Sequence, residues 1–113
     1  MRALSWPDFC AAVEEGFRRD GYAVNRIARN GADLELVKSG RVTLVGCKRW
    51  KVARTGIEPL RELEAAREAH EAHESVYIAA GEITATARAY ATEKRVRMVE
   101  SADLARLVPR LPA

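Results

Sequence analysis

The chain has 113 residues, of which 48% are hydrophobic and 31% charged, a balance that suits one globular domain and excludes an intrinsically disordered segment. No apolar stretch approaches the roughly 20 residues needed to cross a bilayer, and Met1 to Trp6 has no signal-peptide core, so no membrane contact within this segment and a cytoplasmic location are expected. A net charge of +3 and a pI near 9.1 allow an anionic partner without specifying one.

In chain order, Ser5 is placed to cap a helix over 6–20, with Pro7 and Asp8 in its first turn, Phe9, Val13 and Phe17 on one face, and Gly21 at its end. Residues 22–27 read as a strand. A hairpin follows, with strands near 33–38 and 41–48 joined by Ser39-Gly40. A two-residue loop fixes register, so Lys38 pairs with Arg41 and, counting back, Asp33 with Gly46. The second hairpin strand carries apolar residues on both faces, Val42 and Leu44 on one, Val45 and Cys47 on the other, as the middle of a covered sheet requires.

After a basic loop, Gly56 opens a helix in which Leu60, Leu63 and Ala66 recur at helical spacing and Pro59 is tolerated in the first turn. Residues 76–80 form a strand, Gly81-Glu82-Ile83 leads into an alanine-rich helix through Tyr90 and Ala91, and residues 96–99 form another strand. Ser101 is expected to cap a last helix containing Leu104, Leu107 and Val108. Strands separated by helices imply parallel crossovers onto the hairpin, so the class is α/β with a mixed sheet, in one domain spanning 1–113. Cys10 and Cys47 lack metal-pair spacing and read as small buried hydrophobes. His70 and His73 read as a polar helix end.

The chemistry gathers around the hairpin. The predicted register puts Asp33, Gly46 and Lys48 on one face. Phosphodiester hydrolysis at neutral pH uses a cation held by a carboxylate and a group that positions the attacking water or stabilises the developing charge. Asp33 fits the first role and Lys48 the second, and the Cys47 carbonyl could add an oxygen ligand to the metal. Glu35 lies on the same face by period-two alternation, and a helix glutamate, Glu14 or Glu15, could supply a further acid. Lys48, Arg49, Lys51 and Arg54 cluster with Trp50 beside this site and suit a phosphate backbone. The same Asp33 and Lys48 also fit a plain cross-strand ion pair, and the basic cluster a solvated loop.

Taken in order, the opening helix with Phe9 and Glu14, Gly21-Tyr22-Ala23-Val24, Asp33-Leu34, Cys47-Lys48-Arg49-Trp50 and Arg61-Glu62-Leu63 resemble the Mrr-like type IV restriction endonucleases of the PD-(D/E)xK nuclease superfamily. The resemblance implies a restriction-endonuclease-like mixed sheet flanked by helices. It also implies DNA as partner and Mg²⁺-dependent hydrolysis of DNA. Asp33, Lys48, Glu35 and Glu14 would be the catalytic set, with Glu14 the better match to the family's helix glutamate. Asp33 and Cys47 would be metal ligands, and Arg49, Trp50, Lys51 and Arg54 would contact DNA. A homodimer cutting both strands, and further domains in a longer parent chain, are compatible with it. Family members commonly carry Gln or Glu where this chain has Gly46, and Arg29 to Asp33 departs from the usual Asp-Gly-Gly-apolar-Asp loop. An active nuclease, a DNA-binding module with lost catalysis and a protein-interaction domain are therefore the three expectations.

Overall fold

The computed structural model describes residues 5–29, 31–47 and 50–107. Helix α1 spans Trp6–Arg19, with the Ser5 hydroxyl accepting from the Asp8 N–H at 3.3 Å, so the expected cap is present. Strands β1 (Ala23–Arg29), β2 (Ala32–Lys38) and β3 (Arg41–Gly46) form an antiparallel meander. Between β2 and β3, Ser39 and Gly40 both take positive φ, 54° and 79°, as a tight hairpin loop whose twist matches its strands demands. The pairs run from Lys38 opposite Arg41 to Leu34 opposite Val45. That is the register read from the sequence.

The remaining elements are β4 (Arg54–Thr55), α2 (Ile57–Ala69), β5 (Glu74–Ile78), β6 (Glu82–Ile83), α3 (Ala85–Lys94), β7 (Val96–Val99) and α4 (Ser101–Leu107). Strands β5 and β7 join β3 in parallel, giving a five-stranded mixed sheet of order β1-β2-β3-β5-β7, with β3 at its centre. Each face of the sheet has its own core. On one, Phe9, Val13 and Phe17 of α1 meet Leu34, Leu36, Val45, Ile78 and Leu104. On the other, Leu60 and Leu63 of α2 and Ala87 of α3 meet Leu44, Tyr77 and Ala79. The double apolar character of β3 is thereby explained, because Leu44 and Val45 enter different cores.

Four details differ from the sequence reading. The segment expected as a basic loop ends in β4, which pairs in parallel with β6; two residues per strand are too few for any periodicity to show. Strand β5 starts two residues earlier than expected, because Glu74 and Ser75 already pair with Thr43 and Leu44. The buried Ser75 hydroxyl donates to Glu64 of α2 at 2.9 Å, and Arg67 closes the same carboxylate, so this polar cluster ties α2 to β5. Ser101 is the first residue of α4 and its hydroxyl donates to the Ala80 carbonyl at 2.9 Å, joining α4 to the segment after β5.

The two histidines also do more than end a helix. His73 exchanges two hydrogen bonds with Val42, its Nδ1 accepting from the Val42 N–H at 3.0 Å and its own N–H donating to the Val42 carbonyl at 2.8 Å. His70, the C-cap of α2, holds Glu35 through Nε2 at 2.6 Å, and Asn25 donates to the other carboxylate oxygen at 3.2 Å. The bond from His70 is the main reason that the Glu35 carboxyl lies below its ordinary value, with Asn25 acting in the same direction against desolvation. A lowered carboxyl pKa stabilises the fold above the unfolded value, near 4.5, and that contribution is lost as pH falls through the lower folded value. Urea unfolding of Glu35→Gln should therefore show its larger deficit above about pH 5 and approach that of the parent only as pH falls through the lowered value of the carboxyl. A deficit that does not vary with pH would contradict this pairing.

Candidate active site

Asp33 sits near the start of β2, where the ladder with β3 ends. The last pair of that ladder is Leu34 with Val45, so Asp33 directly precedes it on β2 and Gly46 directly follows it on β3. Its carboxylate accepts the Cys47 N–H at 2.8 Å. A side-chain oxygen thus replaces a backbone partner for the first residue past β3, and the half-buried acid is held by the strand end that leads into the basic segment. Cys47 is fully buried on the α1 side. Burial, followed by the negative charge of Asp33, pushes its thiol well above the ordinary range. Cys10 is pushed up to about 11, first by burial and then by its bond to Glu14. Both thiols are therefore protonated and inert at neutral pH, which agrees with the structural reading of the two cysteines. The Cys47 carbonyl accepts the Trp50 N–H at 3.3 Å in a turn.

Position 46 is tight as well as blank. A Cβ built on Gly46 would lie 3.1 Å from the Gly31 carbonyl oxygen and 3.1 and 3.3 Å from the Cδ1 and Cε1 atoms of Tyr77. A side chain at this position would need the buried Tyr77 ring and the Gly31 carbonyl to give by a few tenths of an ångström.

The structure does not bring the two auxiliary acids together. Glu35 pairs with Leu44 and faces α2, bound to His70 and Asn25. Glu14 lies on α1, across the sheet, where its buried carboxylate holds Arg26 of β1 and Arg18. One sheet cannot present both to a single cation, and each already carries a positively charged or hydrogen-bonding partner. Among the described residues no three His, Cys, Asp or Glu side chains are grouped so that they could hold a metal. Glu35 and Glu14 therefore do not share one site, whereas Asp33 and Glu14 both lie near enough to Cys10 and Cys47 to act on their thiols. Sequence alternation identified the face of Glu35 but could not reveal that a helix cap would claim it.

Lys48 and Arg49 lie outside the described residues. Of the remaining basic segment, Trp50 stacks on Phe9 with ring centroids 3.9 Å apart and planes 4° from parallel, so one face of its indole is used in packing. Lys51 stands 5.8 Å from the same ring. Arg54 pairs with Glu82 at 3.4 Å, both about two-thirds exposed. Backbone bonds from Ala80 to Trp50, Glu82 to Ala53 and Thr84 to Thr55 fasten the segment to the chain after β5. Gly81 permits this approach, because a Cβ there would meet the Val52 carbonyl oxygen at 2.2 Å. This anchorage joins segments distant in the chain, and Gly81 is its one visible signal in the sequence.

The arrangement offers a carboxylate at a strand end, a carbonyl beside it and a firmly held basic segment. No helix among the described residues is long and apolar enough to cross a membrane. The fold has clear counterparts among solved structures. The crystal structure of a protein of unknown function, AF1548, superposes with a TM-score of 0.68 at 15% identity, covering 81% of this chain and 56% of that one. A structure of EndoMS in complex with double-stranded DNA gives 0.63 at 14% identity, covering 89% and 46%. A repair endonuclease from Pyrococcus abyssi gives 0.57 at 14% identity, covering 87% and 47%. The chain spans about half the length of these proteins, and at such identity the likeness shows a shared fold. Comparison with the curated proteins gives no match. The Mrr_cat family model, described as restriction endonuclease, matches residues 1–108. With the mixed sheet flanked by helices, that match makes this chain a member of the Mrr-like restriction endonuclease family.

Proposed function

We propose that this domain binds DNA and hydrolyses its phosphodiester bonds with a divalent cation, magnesium, at a site built on Asp33 and Lys48. The observation that carries this reading is the Asp33 carboxylate held at the end of β3 by the Cys47 N–H, directly before the basic segment. Magnesium is commonly bound by one or two carboxylates together with substrate phosphates and waters, so Asp33 with the Cys47 carbonyl fits such an ion without a full protein cage. When bound, the ion would polarise the phosphate and acidify the attacking water. Asp33 orients it, and Lys48 stabilises the charge that develops on the phosphate oxygens. The EndoMS structure holds double-stranded DNA, which supports DNA as the partner here.

Lys51 and Arg54 steer the backbone of the bound strand. The ion pair of Arg54 with Glu82 is exposed and worth little, so a phosphate competes for Arg54 at small cost. Replacing Lys51 or Arg54 with Gln should weaken duplex binding several-fold and lower the salt slope by about 1 per charge removed. Fluorescence anisotropy across a salt series measures both. An unchanged slope in the double variant would remove these residues from the interface.

One observation favours a second reading, a DNA-binding domain without catalysis: position 46 offers no ligand, and Tyr77 and the Gly31 carbonyl crowd it. On that reading binding persists and metal-dependent cleavage is absent. Cleavage assays on the unaltered chain with magnesium and with chelator separate the two readings.

A further inference from the structure

On the α1 side of the sheet, at the opposite strand ends from Asp33, a cleft of about 650 Å³ opens between the end of α1, the end of β2, β7 and α4. Lys38 in its wall lies five steps along β2 from Asp33, about 17 Å, so the cleft is distinct from the candidate active site. Its volume falls within the range of small-molecule sites. The polar groups around it are Asp20, Tyr22, Lys38, Arg97, Asp103 and Arg106.

Three cations and two carboxylates line this space, and their existing bonds differ. Lys38 Nζ donates to the Asp20 carbonyl at 2.8 Å and lies 5.0 Å from the centre of the Tyr22 ring, which fixes the ammonium and leaves it donors to spare. Arg106 is paired with Asp103. Arg97 pairs in register with Val76, two residues before Val99, and both valines enter the α1-side core, so its side chain leaves β7 on the face of the cleft. Among the described residues Arg97 has no ion pair. An open guanidinium fork facing the same space as a fixed ammonium matches an anion with several acceptor oxygens, and phosphate fits this best.

The two carboxylates limit what can enter. A nucleic acid strand carries one charge every 3.4 Å or so, and its neighbouring phosphates would meet Asp20 and Asp103. A ligand with a single phosphate can place it between Arg97 and Lys38 and turn a neutral part away. We propose that this cleft binds a small molecule bearing one phosphate group, of about nucleotide size, independently of the reading given for Asp33.

The test is titration of the full chain with inorganic phosphate and with a nucleoside monophosphate, by calorimetry and by amide chemical shifts. Both ligands should saturate and shift residues around Lys38, Arg97 and Arg106. Exposed Arg97→Gln, with unchanged circular dichroism, should weaken binding at least about tenfold. Arg88→Gln on α3, which breaks a surface pair with Glu100, should leave it unchanged. Absence of saturable binding at millimolar ligand, or parental affinity in Arg97→Gln, would overturn the proposal. So would a short DNA duplex that shifts the same signals more tightly than the monophosphate, which would make the cleft a DNA contact. DNA cleavage at Asp33 is measured separately and is untouched by any of these results.

Discussion

Replacing Asp33 with Ala is expected to reduce magnesium-dependent cleavage of duplex DNA by at least about 100-fold, to the level of the chelator control. The residue has two jobs in this account, and they can be separated. Structurally, its carboxylate satisfies the N–H of the fully buried Cys47 at 2.8 Å. Removing it orphans that donor and should cost about 1–3 kcal/mol of stability. Chemically, it supplies the negative charge that holds the cation. Asp33→Asn keeps an amide oxygen that can accept from Cys47 but removes the charge, so it should be more stable than Asp33→Ala and equally inactive. Lys48→Ala should be inactive as well, and both variants should still bind duplex DNA. Parental cleavage by Asp33→Asn, measured at a temperature where the variant is folded, would show that the carboxylate serves only the fold.

The second large effect is expected at Gly31, two residues before Asp33. Gly31 has φ +89°, and a Cβ there would lie 2.5 Å from both the carbonyl carbon and the oxygen of Glu62 in α2. The turn between β1 and β2 is therefore pressed against helix backbone, which cannot rotate aside as a long side chain could. Gly31→Ala should destabilise the domain by about 2–4 kcal/mol, combining left-handed strain with the steric clash. Gly40 offers an internal comparison, since its φ is +79° and nothing lies within 4 Å of its would-be Cβ. Gly40→Ala should then carry only the conformational part, about 1–2 kcal/mol. Urea midpoints of the two variants measure the difference directly. Equal losses would mean that contact between the turn and α2 contributes nothing. Because the Gly31 carbonyl also borders position 46, a shifted turn should alter cleavage together with stability.

The parts legible in the sequence were those controlled by short-range rules. Ser39-Gly40 allows few loop geometries, so the pairing of β2 with β3 followed from counting. Leu44 and Val45, adjacent and both apolar, could be satisfied only in a sheet covered on two faces. What stayed hidden depended on partners distant in the chain. Glu35 and Glu14 looked equally available because a sequence does not say that His70 will reach one across 35 positions or that Arg26 will hold the other from β1. The packing partner of Trp50 was hidden too, since Phe9, which stacks on one face of it, lies 41 positions earlier by numbering. The small sheet of β4 and β6 rests on two residues from each strand and on a glycine that lets two backbones meet. Lys48 and Arg49, which the sequence singles out most strongly, fall outside the described residues, so their roles belong to the proposal alone.

The central claim is that Asp33 and the basic segment after β3 form a working hydrolytic site despite the blank at Gly46. Incubating the unaltered chain with duplex DNA across magnesium, manganese, calcium and chelator, with binding recorded in the same samples, tests it most directly. The account expects binding in every condition and strand cleavage with magnesium or manganese alone. DNA held in every condition and cut in none would contradict it.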